Sequence, residues 1–283
     1  MITLSASALK AAAPLFDPPG PDRSFYEERR GRPLPERSYV VMFTPRSGST
    51  WLTDVVASTR RLGRPGEFVN PSLMPRVISK WGTRDLGEHL NLLMRQVQSR
   101  GTFGIEATIG QVEAVFGSAD DFAEAFGGAR WVWLARRDIV AQAVSLQKMV
   151  ARDVTHSSQT GDGLIRAADA GWSYDPDGIA HWLTHIARME ARTEDLFERR
   201  GIEPLRMSYE RNMARPPFAA AKDIARHLGV ALPRDRIESV LEERQTKVGT
   251  SLNEEYAARF RQDRAAFVAR AEAGRARTVA PMP

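Results

Sequence analysis

The stretch Ser38-Tyr-Val-Val-Met-Phe-Thr-Pro-Arg-Ser-Gly-Ser-Thr-Trp51 decides the fold. Tyr39 to Phe43 have the aromatic and β-branched content of a buried strand, and Trp51-Leu-Thr-Asp-Val-Val-Ala-Ser58 continues at helical spacing. A turn between them aims free backbone N–H groups and the positive end of a helix at one point, which suits an anion. Arg46 adds a full charge and Gly48 lets the backbone approach closely. The hydroxyls of Ser47, Ser49 and Thr50 can donate to phosphate oxygens. The same residue types also make ordinary surface turns. The ATPase pattern Gly-x-x-x-x-Gly-Lys-Ser/Thr is not met, because Thr44 to Thr50 hold one glycine and an arginine in front of it.

Outward from this loop, apolar strands alternate with amphipathic helices. Strands are predicted at Thr102 to Ala107, Arg130 to Ala135 and Glu203 to Tyr209, with a short strand or extended turn at Leu62 to Phe68. Helices are predicted near Arg84 to Gln98, Ala119 to Phe126, Asp138 to Ala151, Asp177 to Arg200, Pro217 to Leu228, Pro233 to Glu243 and Asn253 to Ala271. The order is that of an α/β chain: a P-loop-like three-layer fold with a central, mainly parallel sheet flanked by helices. Residues 1–37, rich in Pro, Gly and charge, read as an irregular N-terminal arm, 38–272 as one domain, and 273–283 as a flexible C-terminal tail. The polar stretch 152–175 reads as a lid or substrate loop.

The 283 residues are 42% hydrophobic and 27% charged, which excludes a disordered or fibrous chain. No apolar run approaches the ~20 residues of a transmembrane helix, and the first ten residues lack the basic and apolar regions of a signal peptide. With no cysteine there is no thiol nucleophile and no Cys-ligated metal, which fits a cytoplasmic protein. The net charge of +5 comes from dispersed arginines, not a basic stripe, and speaks for a small phosphorylated ligand over nucleic acid. His181 and His185 lie one helical turn apart, but no third ligand accompanies them, and no metal is expected.

A second constellation lies at Leu134-Ala-Arg-Arg-Asp-Ile-Val-Ala-Gln-Ala-Val-Ser-Leu146. Ligands of parallel sheets bind at the carboxyl ends of strands, where Arg136 and Arg137 stand, and Ser145 follows two helical turns later. These residues can close on a second phosphate. Equally, the arginines can pair with Asp138 and the serine can pack on its helix.

Together the two sites resemble the sulfotransferases that use 3′-phosphoadenosine 5′-phosphosulfate (PAPS), and within them the bacterial trehalose 2-sulfotransferase-like family. The similar segments, in order, are Arg46 to Thr50, Gly63-Arg-Pro-Gly-Glu-Phe68, Arg136 to Ser145, Tyr174 to Asp177, Pro204 to Glu210 and Leu252 to Tyr256. The resemblance implies that Arg46, Ser47, Gly48, Ser49, Thr50 and Trp51 hold the 5′-phosphosulfate, with Arg46 stabilising charge on the departing phosphate. It implies that Arg136, Arg137 and Ser145 hold the 3′-phosphate, and that Glu67 is the base for the acceptor hydroxyl. Lys247 and Gly249 are further cofactor candidates from a looser resemblance. The implied product is adenosine 3′,5′-bisphosphate, the implied acceptor a carbohydrate, a glycolipid or another small polar alcohol, and the implied assembly a homodimer. Where many relatives carry lysine after Phe-Gly-Val/Leu, this chain has Phe103-Gly-Ile-Glu106, which reverses the charge beside the expected acceptor pocket and leaves open whether trehalose is the acceptor. An ATP-dependent small-molecule kinase and a PAPS-binding protein without turnover are the alternatives.

Overall fold

A computed structural model describes residues 2–17, 22–152, 169–232 and 250–282. Among them, four strands form one parallel sheet in the order β2-β1-β3-β4: β1 (Arg37–Phe43), β2 (Thr102–Ala107), β3 (Arg130–Ala135) and β4 (Leu205–Ser208). The chain is α/β, with this parallel sheet layered between helices. β1 sits inside the sheet, so both its faces are covered, and Val40 to Phe43 are buried without a break.

The two faces separate by alternation along the strands. Val40 and Met42 of β1 join Phe103, Ile105 and Ala107 of β2 in a core shared with α5 (Leu86–Val97), α6 (Ile109–Phe116), α7 (Ala119–Ala125) and α9 (Pro176–Arg200). Tyr39, Val41 and Phe43 face the other way, onto α3 (Ser49–Ser58) and α11 (Pro217–Leu228). Gly104 and Glu106 of β2 therefore fall on the α3 face. The Tyr39 ring lies over Gly104 so closely that a Cβ there would stand 2.4 Å from it.

Helix α8 (Ile139–Arg152) follows β3 and packs with α9 and α12 (Ser251–Asp263). The helix expected over Asn253 to Ala271 breaks at Arg264, where α13 (Ala265–Ala273) begins. Besides the helices at the two ends of the chain, sequence reading missed α4 (Met74–Trp81), with proline in its first turn, α6, whose Thr108/Gln111 capping box is a legible start signal, and the short α10 (Tyr209–Met213) after β4. The segment 62–68 is not a strand. It runs beside β2, with Gly63 at φ 76° so near the Thr102 carbonyl that no side chain would fit.

Two expectations about the ends of the chain are corrected. The N-terminal arm is largely helical: α1 (Ala6–Ala12) is capped by Ser5, continues into a 3-10 turn at Ala13–Phe16, and buries Ala8, Ala12 and Phe16 in the core. A further helix, α2 (Ser24–Arg29), packs near α4 and α5, its Phe25 stacked on Trp81. The C-terminal residues are not a loose tail either. They form α14 (Ala276–Val279), with Arg275, Thr278 and Met282 buried. The expected lid lies mostly outside the described residues, as do Lys247, Gly249 and the helix expected at Pro233 to Glu243.

Candidate active site

The turn after β1 is built as an anion cradle. Arg46 (φ 66°) and Gly48 (φ 86°) both take the left-handed backbone conformation, so the chain doubles back and Ser47 N–H donates to the Thr44 carbonyl at 3.2 Å. Gly48 is the N-cap of α3 and offers no side-chain cap, which leaves the first-turn N–H groups without an intrahelical partner. A Cβ on Gly48 would stand 2.7 Å from the Tyr209 ring, so space and backbone both demand glycine. Ser47 is fully buried and its Oγ has no hydrogen-bond partner, an orphaned group inside the cradle.

The two constellations, about a hundred residues apart in sequence, meet in space. Arg46 Nε donates to Ser145 Oγ at 3.0 Å. Gln142, one turn earlier on α8, donates to Thr44 Oγ1 at 2.9 Å and to the Pro45 carbonyl at 2.8 Å, binding the loop to the helix after β3. Arg136 lies with its guanidinium 4.6 Å from the Tyr209 ring centroid, and its Nε, 4.0 Å from Glu210, has no hydrogen-bond partner. Burial, and then the charge of Arg136, holds the Arg46 guanidinium below the usual arginine range. Two cations that repel each other in a half-buried cleft make a site that favours an anion between them.

Arg137 turns elsewhere. Its side chain donates to the Met282 carbonyl at 2.8 Å, while its backbone N–H and that of Asp138 donate to Glu210. Beneath this corner Arg275 forms a bidentate pair with Glu190 at 2.6 and 2.8 Å. It also donates to the carbonyls of Arg136 (2.6 Å) and Arg137 (2.8 Å). The strand-end arginines are thus fixed from below by the C-terminal residues.

Glu67 stands on the segment beside β2. Its Oε2 accepts from Asn70 Nδ2 at 3.0 Å and from Gln111 Nε2 at 2.5 Å. Gln111 is held by the α6 capping box, so the carboxylate is aimed by a helix start. Next to it, Glu106 donates its backbone N–H to the Gly66 carbonyl at 3.0 Å, and its carboxyl meets the Ser49 hydroxyl. Burial, with the Glu67 charge adding to it, pushes Glu106 up to about 8.

Thr50 is exposed, and Trp51 is partly buried against Val55, Phe218 and Ala221. Sequence reasoning missed Tyr209, Glu210, Gln142 and Arg275. The first two lie in the similar segment that ends at Glu210 and Gln142 in the one from Arg136 to Ser145, whereas Arg275 had no signal. A separate cavity of about 290 Å³ lies at the outer edge of β4 among Arg211, Asn212, Arg215 and His227, and none of the predicted site residues lines it. Among the described residues no three His, Asp or Glu side chains gather as a metal site, and no helix is long and apolar enough to cross a membrane.

A strand, a glycine turn and a helix, crowned by arginines from two neighbouring strands, are the parts of an anion-binding transferase site. Residues 93–263, more than half of the chain, match the profile of the Stf0 sulphotransferases, and the chain belongs to that family. It is accordingly a sulfotransferase. The matched range contains Glu106, Arg136, Arg137 and Ser145 and begins after the cradle and Glu67. No curated protein matches. Among solved structures, the sulfotransferase domain of the Synechococcus PCC 7002 olefin synthase is similar at 13% identity and a TM-score of 0.46, over 84% of this chain and 97% of that one. A sulfotransferase from Alicyclobacillus acidocaldarius is similar at 19% identity and 0.45, over 84% and 95%. The sulfotransferase domain from the curacin biosynthetic pathway follows at 11% and 0.42, over 83% and 99%. These likenesses are loose, and no residue role rests on them.

Proposed function

We propose that this sulfotransferase uses PAPS as donor and sulfates a hydroxyl of a carbohydrate or another small polar acceptor. The observation that carries the reading is the junction of Arg46 with Ser145, beside Arg136: one anion site joins the turn after β1 to the helix after β3. A donor with charge at both a 5′-phosphosulfate and a 3′-phosphate suits such a split site. The residues fit it, since Ser47 Oγ lacks a partner, Gly48 leaves room for an approaching oxygen, and Arg136 Nε has no hydrogen bond.

When bound, the donor supplies a sulfuryl group whose transfer depends on positioning and charge stabilisation. In this reading the first-turn N–H groups of α3, with Ser47, Ser49 and Thr50, hold the 5′ end. Arg46 offsets charge on the leaving phosphate, and Arg136 and Ser145 take the 3′-phosphate, whereas Arg137, with its side chain on the Met282 carbonyl, is not given that role. Trp51 and Tyr209 offer aromatic surface to the base. Lys247 and Gly249 remain candidates for closing over the cofactor. Glu67, aimed by Gln111 and Asn70, accepts the acceptor's proton, and with Arg46 stabilising the leaving charge no metal is required. A homodimer is the proposed assembly, to be checked by light scattering.

The test is titration calorimetry with adenosine 3′,5′-bisphosphate against AMP and Mg-ATP, paired with transfer of label from PAPS to sugars and alcohols. Adenosine 3′,5′-bisphosphate should bind at least tenfold tighter than AMP. Glu67→Gln should keep that binding while losing about 10²–10⁴-fold in turnover, the usual contribution of a general base. Equal binding of AMP removes the 3′-phosphate site, and a fully active Glu67→Gln removes the base.

A further inference from the structure

Among the described residues three glutamates are almost wholly buried, and two of them have an arginine. Glu190 is paired with Arg275, and Glu194 takes both nitrogens of Arg206 and the Trp133 indole N–H. The third, Glu106, is 6% exposed and has no ion pair among the described residues, and its Oε2 has no hydrogen-bond partner. A carboxylate buried without a cation is strongly disfavoured, and the economical escape is to keep the proton.

The titratable groups facing Glu106 sharpen this. Glu67 approaches from the segment beside β2, Asp54 from α3 and Tyr39 from β1, and all three are acids. Among the described residues the Ser49 hydroxyl, in the first turn of α3 and within the cradle, is the group that offers its side chain a hydrogen bond. A serine hydroxyl has one proton to give. Against a carboxylate, which only accepts, Ser49 must spend that proton on Glu106 and turn a lone pair toward any incoming phosphate. Against a carboxylic acid the polarity reverses: Glu106 donates to Ser49 Oγ, and Ser49 is free to donate to the phosphate.

We propose that Glu106 is a positioning residue that acts un-ionised, its carboxylic proton held on Ser49 so that Ser49 donates to the donor's 5′-phosphate. The relay breaks no covalent bond; each O–H keeps its oxygen and only the hydrogen-bond directions are set. It also spares the cradle a further negative charge beside Glu67 and Asp54, which would repel the donor. This inference deepens the proposed function and rests on its 5′-phosphate site.

The experiment is calorimetric binding of adenosine 3′,5′-bisphosphate at pH 7 and pH 9. Ionising Glu106, which titrates near 8, both redirects Ser49 and adds a negative charge. Affinity of the unsubstituted protein should therefore fall about tenfold between the two pH values. In Glu106→Gln, whose amide donates to Ser49 at every pH, the ratio should shrink to less than twofold, and Ser49→Ala, which removes the relay but keeps the Glu106 charge, should reduce it in part. A purely structural glutamate would shift both affinities together and leave the ratio alone. A tenfold fall that survives in Glu106→Gln, or no fall in the unsubstituted protein, overturns the relay while leaving the PAPS reading standing. Absence of binding at pH 7 overturns that reading and the relay with it.

Discussion

Replacing Arg275 with methionine removes a cation that does four things at once. Its guanidinium makes two charge-assisted hydrogen bonds to Glu190 and one each to the carbonyls of Arg136 and Arg137. Its side chain and that of Glu190 are 2% and 1% exposed, so water cannot take over. Breaking a buried pair from one side costs about 3–5 kcal/mol, because the remaining charge stays behind without compensation. The cost depends on pH. Burial already raises the Glu190 carboxyl while Arg275 holds it down, so without Arg275 it rises further. A group raised on folding contributes stability below its unfolded value and loses it as pH climbs through its folded value. The variant should therefore be penalised most at pH 8 and least near pH 4, where Glu190 is neutral in both states. Urea unfolding across that range measures the slope. Glu190→Leu with Arg275→Met should recover most of the loss, since a hydrophobic pair of similar volume replaces an ion pair at little cost. A single variant that loses under 1 kcal/mol at pH 8, or a double variant no more stable than the single, refutes the reasoning.

Other substitutions probe the cradle and its neighbour. Gly48→Ala forces a side chain into a left-handed backbone and against Tyr209, and should cost about 1–3 kcal/mol together with most of the affinity for adenosine 3′,5′-bisphosphate; calorimetry and urea titration read the two effects. Glu106→Gln should stabilise the fold at neutral pH. A carboxyl that moves from 4.5 to about 8 on folding loses roughly 2.5 pH units of favourable ionisation at pH 7, on the order of 3 kcal/mol, and nothing near pH 4. An equal gain at both pH values would show that packing, not charge, is responsible.

The sheet was legible because parallel strands covered on both faces read as apolar runs: β1 and β3 do so without a break, and β2 does so around Gly104 and Glu106. The N-terminal helices were not, because prolines, glycines and charges surround a stripe of only Ala8, Ala12 and Phe16. That stripe acquires meaning from α6 and α5, which lie about a hundred residues later. The C-terminal residues hid for the same reason: the partner that buries Arg275 is Glu190, 85 positions away, and nothing local announces it. At the site, chemistry was readable and proximity was not. Arg46 and Ser145 could each be named as anion ligands, whereas their contact spans 99 residues. Glu106 was visible as a departure from its relatives, but its lack of a cation follows from burial on the α3 face.

The position of β1 inside the sheet bears on how the chain reaches its native state. The strand that carries the cradle must wait for β2, about 60 residues downstream, and for β3, about 90 downstream, before either edge is paired. The Gly48 turn closes only when Tyr209 has arrived behind β4. Until some 135 residues have left the ribosome, β1 has an open edge. Pairing across such separations is slow, and exposed strand edges associate with other chains. A cradle mounted on a strand that must be completed from both sides should therefore give more soluble protein when synthesis is slowed by lower temperature, which soluble yield at two temperatures checks.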